Sequence, residues 1–400
     1  MTELLLVGIG RMGRPYLDAC DRLGIAVRAV ETPAVLAELA DRLAGGVPVG
    51  GPEDEAWAAA AEAAALDRVP DGVLAFNEPQ VLGAALVQDR LGLPGPSLQA
   101  AVVSRNKALQ RGRFAARGLP QPDHLLTDDL AGARDWVADR LPVVVKPLSS
   151  AGSDGVEQVV DLTGFDAAAR RRTGRLLVEA YADGAEYSWE ALVDRGRVWF
   201  ANVTAKETTG PPDFVELVHR TAADLPGPAA ARVHALGAAV VDALGMRSGI
   251  VHLELVLTAA GPRLLEVAVR TPGDYLLDAL GLTYDVDWHE MAVRLAVGLP
   301  LPAAPAGPAR YAASCYLTAS PGRLTGVDGL AEARAHPTVV LARVRLKPGD
   351  PVSPLRSSTD RVGNALLRAA SRAELADGIA YVRRTVRVRT AALGGPARDG

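Results

Sequence analysis

The chain has 400 residues, of which 49% are hydrophobic, with 43 Lys plus Arg against 47 Asp plus Glu. That is ample for a well-buried core divided among two or three structural units. A net charge of −4 without any block of like charge argues against a nucleic-acid or membrane surface, and no apolar run approaches the roughly 20 residues of a membrane span.

Cys20 and Cys315 lie far apart without metal-type spacing and read as reduced thiols. The N-terminus, MTELLLVGIG, lacks a basic region and carries only a strand's length of apolar residues, so a cytoplasmic protein is expected. Residues 3–9 read as a buried strand, followed by glycines, a helix over about 14–23, and a strand over 25–30 that ends on Glu31. GVLAF at 72–76 precedes the helical run PQVLGAALVQDRLG. This alternation predicts an open, mostly parallel α/β sheet over the first hundred residues, closed by the turn-rich LPGPSL at 93–98.

A helix is predicted over 100–117. From 140 to 200 the segments PVVVKP, GVEQVV, RLLVEAY, YSWEALV and RVWFANV predict antiparallel sheet with one wet face. A long helix over 228–244 precedes two strands, GIVHLELVL and PRLLEVAVR. The proline-rich LPLPAAPAGPAR at 299–310 reads as a linker, and the last ninety residues as a small α+β module with one helix.

Three features carry chemistry. Gly8-Ile-Gly10-Arg-Met-Gly13 sits between a strand and a helix with Glu31 ending the next strand. It fits either a dinucleotide site or a tight turn that binds nothing. Only Lys107, Lys146, Lys206 and Lys347 are lysines, against 39 arginines, so the lysines mark places where a compact point charge is preferred to a planar fork. Lys146 ends a strand and is followed by Ser149, Ser150, Gly152, Ser153 and Gly155. Such a loop either wraps phosphate oxygens or is a plain hairpin turn. Third, Glu254 and Glu266 stand on consecutive strands, where period-2 geometry puts His252 beside Glu254, and Ala268 and Arg270 beside Glu266. Two facing carboxylates suit a hard divalent ion; a solvated face with Arg270 as ion-pair partner is the other reading.

Taken in order, RNKALQR, VVVKPLSSAGSDGV, LVEAYADGAEYSWE, TAKETTGPPDFVELVH, HLELV and LLEVAVRTPGD resemble the ATP-grasp superfamily, and within it the carboxylate–amine ligases of the L-amino-acid (dipeptide) ligase type. The resemblance implies a mixed α/β and α+β multidomain chain. Residues 1–98 would be a Rossmann-like domain, 99–305 the ATP-grasp domain with a mobile lid over about 118–182, and 306–400 the C-terminal α+β module. In that setting the Gly8–Gly13 turn borders the substrate cleft and need not bind NAD.

The resemblance further implies that Lys107 and Lys146 contact the α- and β-phosphates of ATP. The loop holding Ser149, Ser150, Gly152 and Ser153 would close over the β- and γ-phosphates. Glu179, Ala180 and Tyr181 would frame the adenine, and Glu186 would take the ribose. Glu254 and Glu266 would hold Mg²⁺, with Mn²⁺ as a substitute. Arg270 would steady the transferred phosphate and acyl group. Glu216 and His219 would line the amino-acid pocket, Glu216 meeting an ammonium and His219 a carboxylate or leaving proton, with Lys206 either steering an anionic substrate or anchoring the loop. Many superfamily members have Asn where this chain has Ala268, which implies one metal ligand fewer.

The expected reaction joins a carboxylate to an amine through an acyl phosphate, releasing ADP and phosphate, with small molecules as partners; the oligomeric state is left open, a homodimer being common in the superfamily. The alternatives are a purine-biosynthesis type ATP-grasp enzyme using formate or bicarbonate, and an NAD-dependent oxidoreductase using Gly8–Gly13 and Glu31.

Overall fold

The computed structural model describes residues 2–392 except 11, 150, 151 and 153. Four parallel strands form the first sheet: Gly45–Pro48, Ala26–Glu31, Glu3–Val7 and Gly72–Ala75, in that spatial order. The Glu3–Val7 strand is buried along its whole length, as a central parallel strand covered on both faces must be. The helix Arg14–Leu23 follows the glycine turn and ends on Gly24 in the left-handed conformation. Elements of this region not expected from the sequence include the short helix Pro33–Glu38, the short strand Gly45–Pro48 and the helix Asp54–Asp67. Eight of the fourteen residues of Asp54–Asp67 are alanine, on both its buried and its outer face, so it lacks the two-sided contrast that reveals an amphipathic helix.

The helix predicted over 100–117 is two helices, Leu98–Ser104 and Lys107–Ala115. Asn106 breaks them: its side-chain oxygen accepts from the backbone N–H groups of Ala108 and Leu109, starting a new helix. Lys107 thereby sits in a first helical turn rather than mid-helix.

The antiparallel region divides between two sheets. His124–Thr127, Leu176–Ala180, Val143–Pro147 and Glu157–Val159 form a four-stranded sheet. It is backed by Val137 and by Phe165 from an unforeseen helix, Leu162–Arg171, capped by Asp161. The remaining strands enter an eight-stranded, wholly antiparallel sheet. Its order is Gly261–Ala268, Gly249–Thr258, Ala185–Asp194, Arg197–Thr208, Glu216–Arg220, Tyr311–Leu317, Gly363–Ala369 and Val339–Val344.

This sheet crosses residue 305, where the sequence reading placed a domain boundary. Glu216–Arg220 would otherwise present an open edge of unpaired backbone groups, and Tyr311–Leu317 pairs with it. The C-terminal region adds a three-stranded sheet, Pro351–Val352, Gly322–Asp328 and Arg387–Ala391. It holds two helices, Leu330–Ala335 and Arg372–Thr385, where one was expected.

The helix Gly227–Leu244 packs across the eight-stranded sheet through Val233, Leu236, Gly237, Val240 and Leu244. At Gly237 an added Cβ would lie 2.4 Å from the ring of Trp189, so the glycine makes room for the indole. Trp189 is 1% exposed, and its Nε1–H donates to His234 Nδ1 over 3.1 Å. Trp189→Ala is expected to cost about 3–5 kcal/mol of stability, read as a lowered urea midpoint at unchanged slope.

Candidate functional site

A cavity of about 560 Å³ lies where the three larger sheets converge. Its walls come from the first sheet (Phe76, Glu78), the four-stranded sheet (Lys146, Glu179), the eight-stranded sheet (Lys206, Glu254, Glu266), and Ser358 near the C-terminus. The structure thus brings together Lys107, Lys146, Gly152, Glu179, Ala180, Tyr181, Glu186, Lys206, Glu216, His219, Glu254, Glu266 and Arg270 around one space. Ser149 is exposed and is not part of the lining, while Ser150 and Ser153 fall outside the described residues.

Three of the four lysines have buried side chains there, each against a carboxylate. Lys146 Nζ lies 2.6 Å from Glu179 Oε2, Lys107 Nζ 3.0 Å from Glu266 Oε1, and Lys206 Nζ 2.9 Å from Glu254 Oε1. Lys347 is exposed on a turn, its backbone N–H donating to Asp350.

Glu179 departs from expectation. Its carboxylate is 2% exposed and is committed to Lys146 and to the guanidinium of Arg111, a residue the sequence reading left without a role. Burial works against the charge, but Lys146 and Arg111 outweigh it and hold the carboxyl down at about 2. Burial also pushes the Lys146 ammonium below its usual range. The backbone N–H of Ala180 and of Tyr181 are likewise spent, on Asp123 and Pro142 carbonyls. What this stretch offers a flat ligand is therefore the Tyr181 ring, whose centroid is 6.1 Å from that of Phe214. Phe214 lines the same cavity and was not foreseen.

The hairpin delivers the carboxylates as period-2 spacing requires: Glu254 stands opposite Glu266 and His252 opposite Ala268. The alanine leaves room for the imidazole. His252 donates from Nδ1 to Glu190 (3.1 Å) and from Nε2 to Glu254 (3.4 Å), and although burial opposes its charge these carboxylates raise it to about 9. Lys206 reaches both Glu254 and Glu216 (3.3 Å). Burial opposes its charge, yet Glu254, Glu216 and Glu186 hold its ammonium well above the ordinary range. It acts here as an anchor for two carboxylates. Glu186 makes no ion pair within 4 Å among the described residues, and burial raises it.

No cluster of three or more His, Cys, Asp or Glu side chains suited to a metal occurs among the described residues. The facing pair Glu254 and Glu266 is an all-oxygen donor set. It fits a hard divalent cation that completes its shell with phosphate oxygens and water.

Arg270 donates to Glu78 Oε1 (3.0 Å) and to the Thr271 carbonyl (2.8 Å), and its Nε has no partner among the described residues. Glu78 in turn accepts from Arg105 (2.7 Å), which also holds Asp54. Asp274, Arg361 and Ser358 complete this end and were missed. Asp274 stood inside the quoted RTPGD motif, but the other two lie about ninety residues further along the chain.

The glycine fingerprint is occupied from within. Glu31 Oε2 accepts from the backbone N–H of Ile9 (2.6 Å) and Gly10 (2.8 Å), and Oε1 from Thr32 (2.6 Å). A dinucleotide site needs those amides for pyrophosphate and the acid for ribose. Gly13 serves packing, since an added Cβ would lie 2.4 Å from the Ile9 carbonyl oxygen.

Glu179 generates a test. Its carboxyl falls from an ordinary 4.5 to about 2 in the folded state, so its stabilisation is whole above pH 4.5 and is lost as pH falls through about 2. Glu179→Gln is expected to be less stable than wild type at neutral pH, leaving two buried cations unpaired, by about 3–5 kcal/mol. Urea titrations at falling pH are expected to show that gap closing; a gap independent of pH would refute the assignment.

Comparison with known proteins agrees with this geometry. The ATP-grasp domain family matches residues 139–277, and the L-amino acid ligase C-terminal domain 2 matches 315–391. Carnosine synthase 1 of Gallus gallus is 31% identical over 288 residues, covering 64% of this chain and 30% of that protein. Dapdiamide A synthase of Enterobacter agglomerans is 26% identical over 221 residues, covering 50% of each. The chain thus spans half or less of the length of these two relatives. The crystal structure of an L-amino acid ligase from Bacillus licheniformis superposes with a TM-score of 0.82 at 21% identity, over 98% of this chain and 99% of that one. Within the chain, residues 139–277 thus match the ATP-grasp domain family and residues 315–391 the L-amino acid ligase C-terminal domain 2, on a fold shared with the Bacillus licheniformis ligase structure.

Proposed function

We propose that the protein is an ATP-dependent carboxylate–amine ligase that forms an amide bond between an amino acid or related carboxylate and an amine. The observation that carries this reading is the facing pair Glu254 and Glu266, each met by a lysine with a buried side chain inside one cavity. The similarity to two synthases and an L-amino acid ligase supports the choice of amide chemistry.

On this reading Lys107 and Lys146 meet the phosphates of ATP as point charges, and the Tyr181 ring, with Phe214 beside it, borders the base. Glu186 takes the ribose, its raised carboxyl being the one cavity carboxylate named here without an ion pair among the described residues. Glu254 and Glu266 hold Mg²⁺, which supplies charge neutralisation on the phosphates when bound. The substrate carboxylate attacks the γ-phosphorus and ADP leaves, giving an acyl phosphate. Arg270, held by Glu78 and the Thr271 carbonyl, faces the charge that develops on the transferred group. The amine then attacks the acyl carbon, and phosphate departs. Enclosure among three sheets limits hydrolysis of the acyl phosphate by water.

ADP release is expected to need MgATP together with amino acids, and to be greatest with a productive pair. Glu266→Ala is expected to lower it by at least about 100-fold, the scale of losing a principal electrostatic group. Turnover with formate or bicarbonate and a purine precursor, but none with amino acids, would move the protein to the rival ATP-grasp branch. NAD(H) binding without ATP turnover would refute the reading altogether.

A further inference from the structure

The C-terminal region reaches the cavity through Ser358 and, behind it, through Arg361, which grips the cavity residue Asp274. Arg361 is 6% exposed, and its guanidinium lies 3.5 Å over the ring of Tyr316. Its Nε–H donates to the Ser358 carbonyl (2.7 Å), and Nη1 to the Glu216 carbonyl (3.1 Å). Nη1 and Nη2 both grip Asp274, at 2.8 and 2.6 Å, a two-pronged pairing that fixes orientation as well as charge. Ser358 on the same turn donates from Oγ to the Glu216 carboxylate.

Asp274 is placed by strained backbone. It and Tyr275 are consecutive non-glycine residues with φ of 60° and 58°. Such conformations persist where surrounding contacts over-determine them, and they gather at functional sites. Here the over-determining contacts are Arg361 on one side and His219 on the other, whose Nε2 lies 2.9 Å from Asp274 Oδ2.

This geometry settles the tautomer of His219. Asp274 is ionised, because hydrogen bonds from His219 and Arg361 hold its carboxyl far below the carboxylate range despite burial. An ionised carboxylate only accepts, so the proton between the two must sit on Nε2. In the neutral ring Nδ1 is then the lone-pair nitrogen. It has no partner among the described residues, although His219 is 3% exposed and lines the cavity. A buried acceptor left empty costs roughly 1–3 kcal/mol, which a ligand's hydrogen would recover. The other charged or titratable groups around the ring are Lys206 on the neighbouring strand, Glu186, Glu216 and Tyr316.

We propose that Asp274 and Arg361 are positioning residues that hold His219 as its Nε2–H tautomer, so that Nδ1 accepts the proton of the attacking amine. The inference rests on the ligase reading. The substrate ammonium gives one proton to Nδ1, making an imidazolium, and the freed nitrogen lone pair forms the C–N bond. The bond between the acyl carbon and the phosphate oxygen breaks, and inorganic phosphate leaves with that electron pair and takes the second nitrogen proton, so that a neutral amide and hydrogen phosphate result. The C-terminal region thereby contributes, through Arg361, one of the two residues that position the base for the amine step.

The test is ring-nitrogen NMR of the full chain carrying ¹⁵N-histidine, with His219 assigned from its loss in His219→Gln. The expected wild-type spectrum has a protonated Nε2 and a bare Nδ1 at His219. Asp274→Asn, nearly isosteric, is expected to lose that preference and to lower kcat by about 100-fold or more while leaving the KM for ATP unchanged. Arg361→Met removes the positive partner of Asp274 and is expected to drive the ring toward its doubly protonated form, raising the KM for the amine. ADP binding by both variants checks that they are folded. A protonated Nδ1 in wild-type protein that makes ADP in response to amino acids would overturn the relay alone. So would an Asp274→Asn protein with full turnover. Absence of any amino-acid-stimulated ADP release from wild type would remove the ligase reading, and the amine as proton donor with it.

Discussion

Everything in the cavity depends on one constraint: an ammonium or carboxylate taken out of water must be paired there. Lys146 with Glu179, Lys107 with Glu266 and Lys206 with Glu254 satisfy it. The pairs differ in kind. Glu179 is held by two cations, Lys146 and Arg111, and is turned away from solvent, so this pair is part of the frame. Glu254 and Glu266 are more open and face each other across a hairpin. On the proposed ligase reading, an incoming anion draws the lysines off them and leaves the carboxylates to a cation, so that the same residues serve stability and binding in turn.

The sheets turn this chemistry into a location. Parallel strands end at the cavity with Phe76 and Glu78, the four-stranded sheet adds Lys146, and the eight-stranded sheet runs beneath with Lys206, Glu254 and Glu266. Because Glu216–Arg220 pairs onward with Tyr311–Leu317, the C-terminal strands belong to the same surface as the metal-type carboxylates. Arg361 reaches Asp274 and the Glu216 carbonyl from there. A module that follows a proline-rich linker in sequence is a wall of the site.

Local patterns explain why part of this was legible in advance. A strand has period 2, so residues 252, 254, 266 and 268 share a face whatever surrounds them, and two glutamates among them stand out. In a chain with 39 arginines the rare lysines are conspicuous, and three of the four have buried side chains in the cavity. The resemblance of six ordered motifs carried the ATP-grasp assignment. The alanine-rich helix Asp54–Asp67 is hard to read from sequence because alanine occupies both its buried side and much of its outer side, leaving few polar residues to mark the period. Residues 100–117 read as one helix because Asn106 acts through a cap, which depends on local geometry more than on composition.

The sequence by itself determined the strand and helix rhythm, the carboxylate hairpin and the identity of the charged groups, since these follow from near neighbours along the chain. Tertiary structure alone decided what each charge faces. Glu31 fits either a ribose ligand or a tight turn by sequence, and its carboxylate fills the Ile9–Gly10 turn; Glu179, expected from the resemblance to frame the adenine, is held between Lys146 and Arg111. Asp274, His219 and Arg361 span 142 residues between first and last contact partners of the same network, as the Glu216–Ser358 bond records. Ion pairing in a low-dielectric cavity is decided by distances of a few ångströms in space, and separation along the chain carries no information about them.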